Sequence, residues 1–302
     1  MQDRYAAHDS FIRPAWAARA FWRAIVVIIA FELVFGLSPY VLAAFLPSEA
    51  LRNEFFSGIS AFGTLAQFGS FAIALAGFSV ILRLLHGRGL ASLAGPRAMA
   101  LHDFRRAGVA TGTLLAVLAI IPPWINPADL EQVRPIGTWL ALIPVALVVV
   151  TVQVTTEELF FRGYLQQQFA VLSRSPLFWM GGPSLMFGAL HFWNGFGVAD
   201  GVVYAVWATA LGLACADLTA RRGNIGGAVG LHLANNMFAL LIVGVSGWPS
   251  SGLALFLYPY EDPAIYAAGL EGLLDPVLIV ELILLLVNCL LMWLAARVSL
   301  RC

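Results

Sequence analysis

Glu157 and Glu158 stand side by side at the end of an apolar stretch, and Arg162 follows the second by four residues. On a helix that spacing places Glu158 and Arg162 on one face as an ion pair. Glu157 is then rotated by about 100° and left without a cation. An unpaired carboxylate where little water reaches is suited to act as a general base toward a water molecule. His191 lies in a second apolar run, and His232 and Asn236 share one helix face in a third. A carboxylate, two imidazoles and an amide in apolar spans are each costly there and so are candidates for a functional site.

Each feature alone has a plainer reading. Two glutamates at a helix end can be solvated, and a single histidine in a span can be a packing contact. Depth favours a site. Glu157 lies 17 residues before Arg174 and His191 17 residues after it, with Ser173, Ser175 and Pro176 as turn residues between the two runs. In an antiparallel hairpin the two come level, about 25 Å from the turn at 1.5 Å per residue. Counted the same way from Arg221 and Arg222, His232 and Asn236 lie roughly 15 to 20 Å along their helix.

The elements that must carry these residues are membrane spans. Of 302 residues, 60% are hydrophobic and 11% charged, with a mean hydropathy of +0.84, far from the roughly 25% charged norm of soluble domains. Runs long enough to cross about 30 Å of hydrocarbon lie near 21–46, 58–85, 107–126, 138–160, 177–194, 198–218, 224–246 and 273–297. The fold expected is all-α, one polytopic membrane domain over 1–302 with about eight transmembrane helices. The first twenty residues are polar and Arg-bearing, so the first run is expected to remain as a helix rather than to be cleaved.

All 17 basic residues are arginine. With the loops assigned alternately to two sides, fourteen fall on one side and only Arg52 and Arg134 on the other, Arg162 being left out as intramembrane. Positive charge marks the cytoplasm, so both termini are expected there. The opposite loops carry Glu49, Glu54, Asp129, Glu131, Asp200, Glu261, Asp262, Glu271 and Asp275. Cys215, Cys289 and Cys302 form no CxxC and no even framework, and no structural disulfide is expected.

At the residues first described, the sequence resembles the CAAX protease and bacteriocin-processing family of intramembrane proteases, in its CAAX prenyl protease type 2 group. Glu157, Glu158 and Arg162 match its EExxxR motif, Phe187 and His191 its FxxxH motif, and His232 and Asn236 its HxxxN/D motif. The resemblance covers roughly 138–246, which would be the catalytic core. It implies that Glu157 with His191 activates the water, that His232 and Asn236 donate to the oxyanion, and that Glu158 and Arg162 support the base. It implies a glutamate-dependent reaction with no cofactor and no metal. Two histidines and a carboxylate are also the ligands of an open catalytic zinc site, the alternative within the same family.

Other protease chemistries lack their parts: there is no HExxH, no GxGD and no GxSG. A non-catalytic immunity or scaffolding protein, with the polar cluster locking helices together, is the rival from another class. A secondary transporter using Glu32 and Glu281 is disfavoured by the lack of an inverted repeat. Those two acids are read as buried, protonated singletons outside the site. Asn288 is a further polar residue of the last run. The compact chain points to a prokaryotic cell membrane. The expected partners are membrane lipid and a membrane-anchored, lipidated or hydrophobic peptide, with no nucleic acid.

Overall fold

A computed structural model describes residues 4–121, 127–260 and 269–302. The far end of the third expected span (122–126), Glu261 and Asp262 lie outside the described residues. Thirteen helices are described. They are α1 (Ala6–Ile12), α2 (Phe21–Ala44), α3 (Glu49–Ser57), α4 (Ala61–Gly69), α5 (Phe71–His86), α6 (Ala91–Ala94), α7 (Arg97–Ile120), α8 (Ile136–Glu158), α9 (Gln166–Leu172), α10 (Gly182–Leu190), α11 (Val198–Arg222), α12 (Gly226–Leu241) and α13 (Pro276–Leu300). The protein is an all-α polytopic membrane protein.

Every apolar run noted in the sequence carries a helix within its described residues, but among the described residues five helices are both long and apolar enough to cross a membrane on those grounds alone: Phe21–Ala44, Ala61–His86, Ile136–Leu172, Val198–Arg222 and Pro276–Leu300. The others depart for visible reasons. α7 begins with Arg97 and carries Asp103, Arg105 and Arg106. The run 177–194 is a π-helical turn, then α10, then a tight 3₁₀ turn from His191 to Asn194. α12 has only 16 residues.

The outside of the bundle is apolar: Leu33, Leu37, Val148 and Leu284 are each more than half exposed, as a lipid-facing surface requires. Inside, α12 is held by backbone contact. A Cβ on Gly230 would lie 2.4 Å from the Phe104 carbonyl oxygen and 2.8 Å from the Gly108 nitrogen, so α7 and α12 meet without intervening side chains, the packing that small residues permit in membranes.

Both ends of the bundle are tied. At the arginine-rich end, Asp103 accepts two hydrogen bonds from Arg222 (2.9 and 3.0 Å) and one from Asn224 (2.9 Å), while the Asn224 side-chain oxygen accepts from the Gly226 N–H and starts α12. Burial alone would raise the Asp103 carboxyl, but these bonds together with His102 hold it below the usual carboxylate range. At the opposite end, three short strands, β1 (Gln132–Val133), β2 (Val243–Val245) and β3 (Phe256–Tyr258), form a sheet in the order β1-β3-β2, antiparallel then parallel. β1 leads into α8 and β2 follows α12. Trp139 of α8 donates from Nε1 to the Leu241 carbonyl (2.8 Å) and Arg134 from Nε to that of Ala254 (2.9 Å). α8 and α12 are therefore fastened to each other.

Candidate active site

α8 presents Gln153 and Glu157 one turn apart, with Glu158 closing the helix. The next seven residues, Leu159–Leu165, are π-helical and wholly buried. A π-turn widens the helix, and such turns recur at functional sites. Arg162 inside it reaches back to Glu158, with Nη1 3.0 Å from Oε1. This pair is the one expected from the spacing. Its guanidinium also lies over the Phe187 ring, 4.6 Å from the centroid, and 5.8 Å from that of Phe161, so the cation is faced by two π systems as well as a carboxylate.

After α9 the chain turns at Ser173–Ser175, where the Ser173 hydroxyl accepts from the Ser175 N–H, and returns through α10. His191 sits where α10 tightens into its last 3₁₀ turn, with Nδ1 2.8 Å from the Phe187 carbonyl oxygen. A carbonyl only accepts, so Nδ1 carries the proton and the neutral ring keeps its lone pair on Nε2. Phe187 is packed between the two imidazoles, its ring centroid 4.4 Å from that of His191 and 5.6 Å, edge on, from that of His232.

His232 joins the two glutamates. Its Nδ1 lies 2.7 Å from Glu158 Oε1, and its Nε2 faces Glu157 Oε2 at 3.7 Å. The sequence reading left Glu157 without a basic neighbour; the structure supplies one from α12, a relation between residues 75 apart that no local spacing reveals. Two carboxylates, one guanidinium and one imidazole therefore meet in a single buried layer.

Gln153 was missed in the sequence, where it is one amide in a long apolar run. It is 4% exposed. Its Oε1 accepts from Asn236 Nδ2 at 3.1 Å, and it lies one helical turn before Glu157 on the same face of α8. Asn235 donates to Asn236 Oδ1 at 3.0 Å, which fixes the Asn236 amide and leaves it a second N–H. The signal available was the four-residue spacing from Glu157; its partner on α12 was not readable.

The cluster has a sealed side and an open side. Glu158 is fully buried, and Arg162 and His232 are 1% exposed, whereas Glu157, His191 and Asn236 are only partly buried. Glu158, Arg162 and His232 are thus shut off from the surface, with His232 Nε2 facing Glu157, while Glu157, His191 and Asn236 keep part of their surface open. Among the described residues no group of three or more His, Cys, Asp and Glu side chains is arranged to hold a metal ion. Glu32 lies on α2, half-buried, and Glu281 and Asn288 lie on α13.

Residues 138–238 match the family model described as type II CAAX prenyl endopeptidase Rce1-like, and every motif position named above falls inside that segment. The match spans about a third of the chain, and over it the chain is similar to a family of proteases. The curated relative "Uncharacterized protein YyaK" of Bacillus subtilis (strain 168) is 39% identical over 106 residues, 34% of this chain and 34% of its own. The chain therefore covers about a third of that relative's length. No solved structure matches.

Proposed function

We propose that the protein is an intramembrane endopeptidase in which Glu157 activates a water molecule for attack on a peptide carbonyl. The observation that carries this reading is the division of the polar cluster into a sealed layer (Glu158, Arg162, His232) and a partly open edge (Glu157, His191, Asn236). The match of 138–238 to a protease family supports the reaction class.

In the proposed reaction, water held between Glu157 and the His191 Nε2 lone pair gives a proton to the carboxylate as its oxygen bonds the carbonyl carbon. The second N–H of Asn236 and an N–H of His232 meet the resulting oxyanion, where donors count for most because solvent is scarce. As the intermediate collapses, the C–N bond breaks and the proton on Glu157 passes to the leaving amine. Glu158 and Arg162 do not touch the reacting atoms; they position His232 and the π-helical turn. The substrate class is a membrane-associated, lipidated or hydrophobic peptide, and the setting a prokaryotic cell membrane with both termini in the cytoplasm.

The test compares the purified protein with its Glu157→Gln variant on a panel of lipidated and hydrophobic peptides, with and without chelator. Cleavage by the parent alone, unaffected by chelator, is expected, with a loss of at least about a hundredfold in the variant. Equal cleavage by both would remove Glu157 as the base. Chelator-sensitive cleavage restored by zinc would make His191 and His232 ligands. A polar cluster that only locks helices would tolerate Glu157→Gln with no change in either cleavage or melting.

A further inference from the structure

At the arginine-rich end, α7 and α13 leave an open groove of about 410 Å³ lined by Arg105, Arg106, Val109, Ala110 and Ser299. The arrangement is layered. Arg105 and Arg106 form the level nearest the helix start. Val109 and Ala110 lie one turn deeper, directly below them on the same face, and Val109 is 69% exposed. Both arginines are exposed, and neither has a carboxylate partner among the described residues. The nearest acid in the sequence, Asp103, is already taken by Arg222, Asn224 and His102. The Ser299 hydroxyl is turned onto the Ala296 carbonyl, so the donors facing the groove are the two guanidinium forks.

Two neighbouring forks with no internal anion match the oxygens of a phosphodiester. An apolar floor immediately beneath matches the start of an acyl chain. We propose that this groove binds an anionic glycerophospholipid of the leaflet on the arginine-rich side, headgroup phosphate on Arg105 and Arg106 and one chain along Val109 and Ala110. A free phosphate would use the forks but not the floor. Neither α7 nor α13 supplies a residue of the polar cluster, so this proposal does not depend on the protease reading.

The test is native mass spectrometry of the full chain, delipidated in detergent and titrated with phosphatidylglycerol or phosphatidylcholine of identical chains. A preference of about fivefold or more for phosphatidylglycerol is expected. It should fall to near unity in R105Q/R106Q, persist in R83Q/R174Q, which removes two exposed arginines elsewhere at the same end, and survive millimolar inorganic phosphate. Ala110→Phe, which fills the floor and leaves both arginines, should weaken binding of either lipid, and it decides the matter if the double arginine variant does not fold. Equal retention of the two lipids, equal loss in R83Q/R174Q, unchanged binding in Ala110→Phe or displacement by phosphate would each overturn the proposal.

Discussion

Gln153 stands between the two halves of the proposed reaction, since its amide oxygen accepts from Asn236 and it lies one helical turn before Glu157 on the same face of α8. A side chain that sets the distance between a base and an oxyanion donor acts on the transition state more than on substrate binding. Replacing it by methionine, similar in length but without an amide, should lower kcat by about 10- to 100-fold, the loss that small misplacements produce. KM and the melting temperature should stay near those of the parent, and glutamate at the same position should shift the pH profile of kcat. An unchanged kcat would reduce Gln153 to packing. At this scale most of the cluster was legible, because membrane burial makes each polar side chain conspicuous. Glu157, Glu158, Arg162 and His232 are linked in turn, and Asn236 is bonded to Gln153, one turn before Glu157. What could not be read is the His232 bridge between the glutamates, since it depends on how α12 is rotated against α8.

That rotation is decided between elements. α12 is short, and the helix lengths of a bundle cannot reveal that it is pressed onto α7 through glycine. Gly230 lies two residues from His232, and its added Cβ would meet the α7 backbone, which cannot yield as a flexible side chain would. Gly230→Ala should therefore force the helices apart, at a cost of about 1–3 kcal/mol. Gly112→Ala on α7, with nothing near its Cβ, should be neutral or stabilising by up to about 1 kcal/mol from helix propensity. Thermal melting of the two variants checks this; equal melting temperatures would mean that the α7–α12 contact is not tight. The long apolar helices were legible from hydropathy alone. The π-helical turn after Glu158 was not, since its i→i+5 bonding has no side-chain period in the sequence. The strands, two or three residues each, are too short to show an alternating pattern.

For the molecule as a whole, the arginine bias separates one end of the bundle from the other, and the structure shows the N-terminal segment folded back onto that end. Tyr5 donates to Asp217 at 2.8 Å, Asp217 also receives Arg221 and Trp293, and His8 packs at a tilt against Trp179 with centroids 4.2 Å apart. In the sequence these first residues read only as polar and Arg-bearing, because the surface that receives them is assembled from α9, α11 and the turn before α10. His8 is 4% exposed, and burial lowers its pKa to about 4. Its neighbours are Phe11, Trp179 and the Gln166 amide, none of which stabilises an imidazolium as a carboxylate would. The folded-state value lies below the unfolded one of about 6.5, so protonation favours the undocked segment. Docking should be complete above pH 6.5 and weaken as pH falls toward 4, approaching about tenfold per unit within that window. Asp103 acts lower: its carboxylate is held below the usual range, so its contribution is present above the unfolded value of about 3.9 and is lost as pH falls further. Hydrogen exchange of residues 6–18 between pH 7.5 and 4.5, corrected for the intrinsic rate, separates the two. Protection should decline across the window in the parent and stay flat in His8→Phe, which keeps the aromatic stack without the titratable ring. The same decline in both proteins would show that the N-terminal helix is released by some other group.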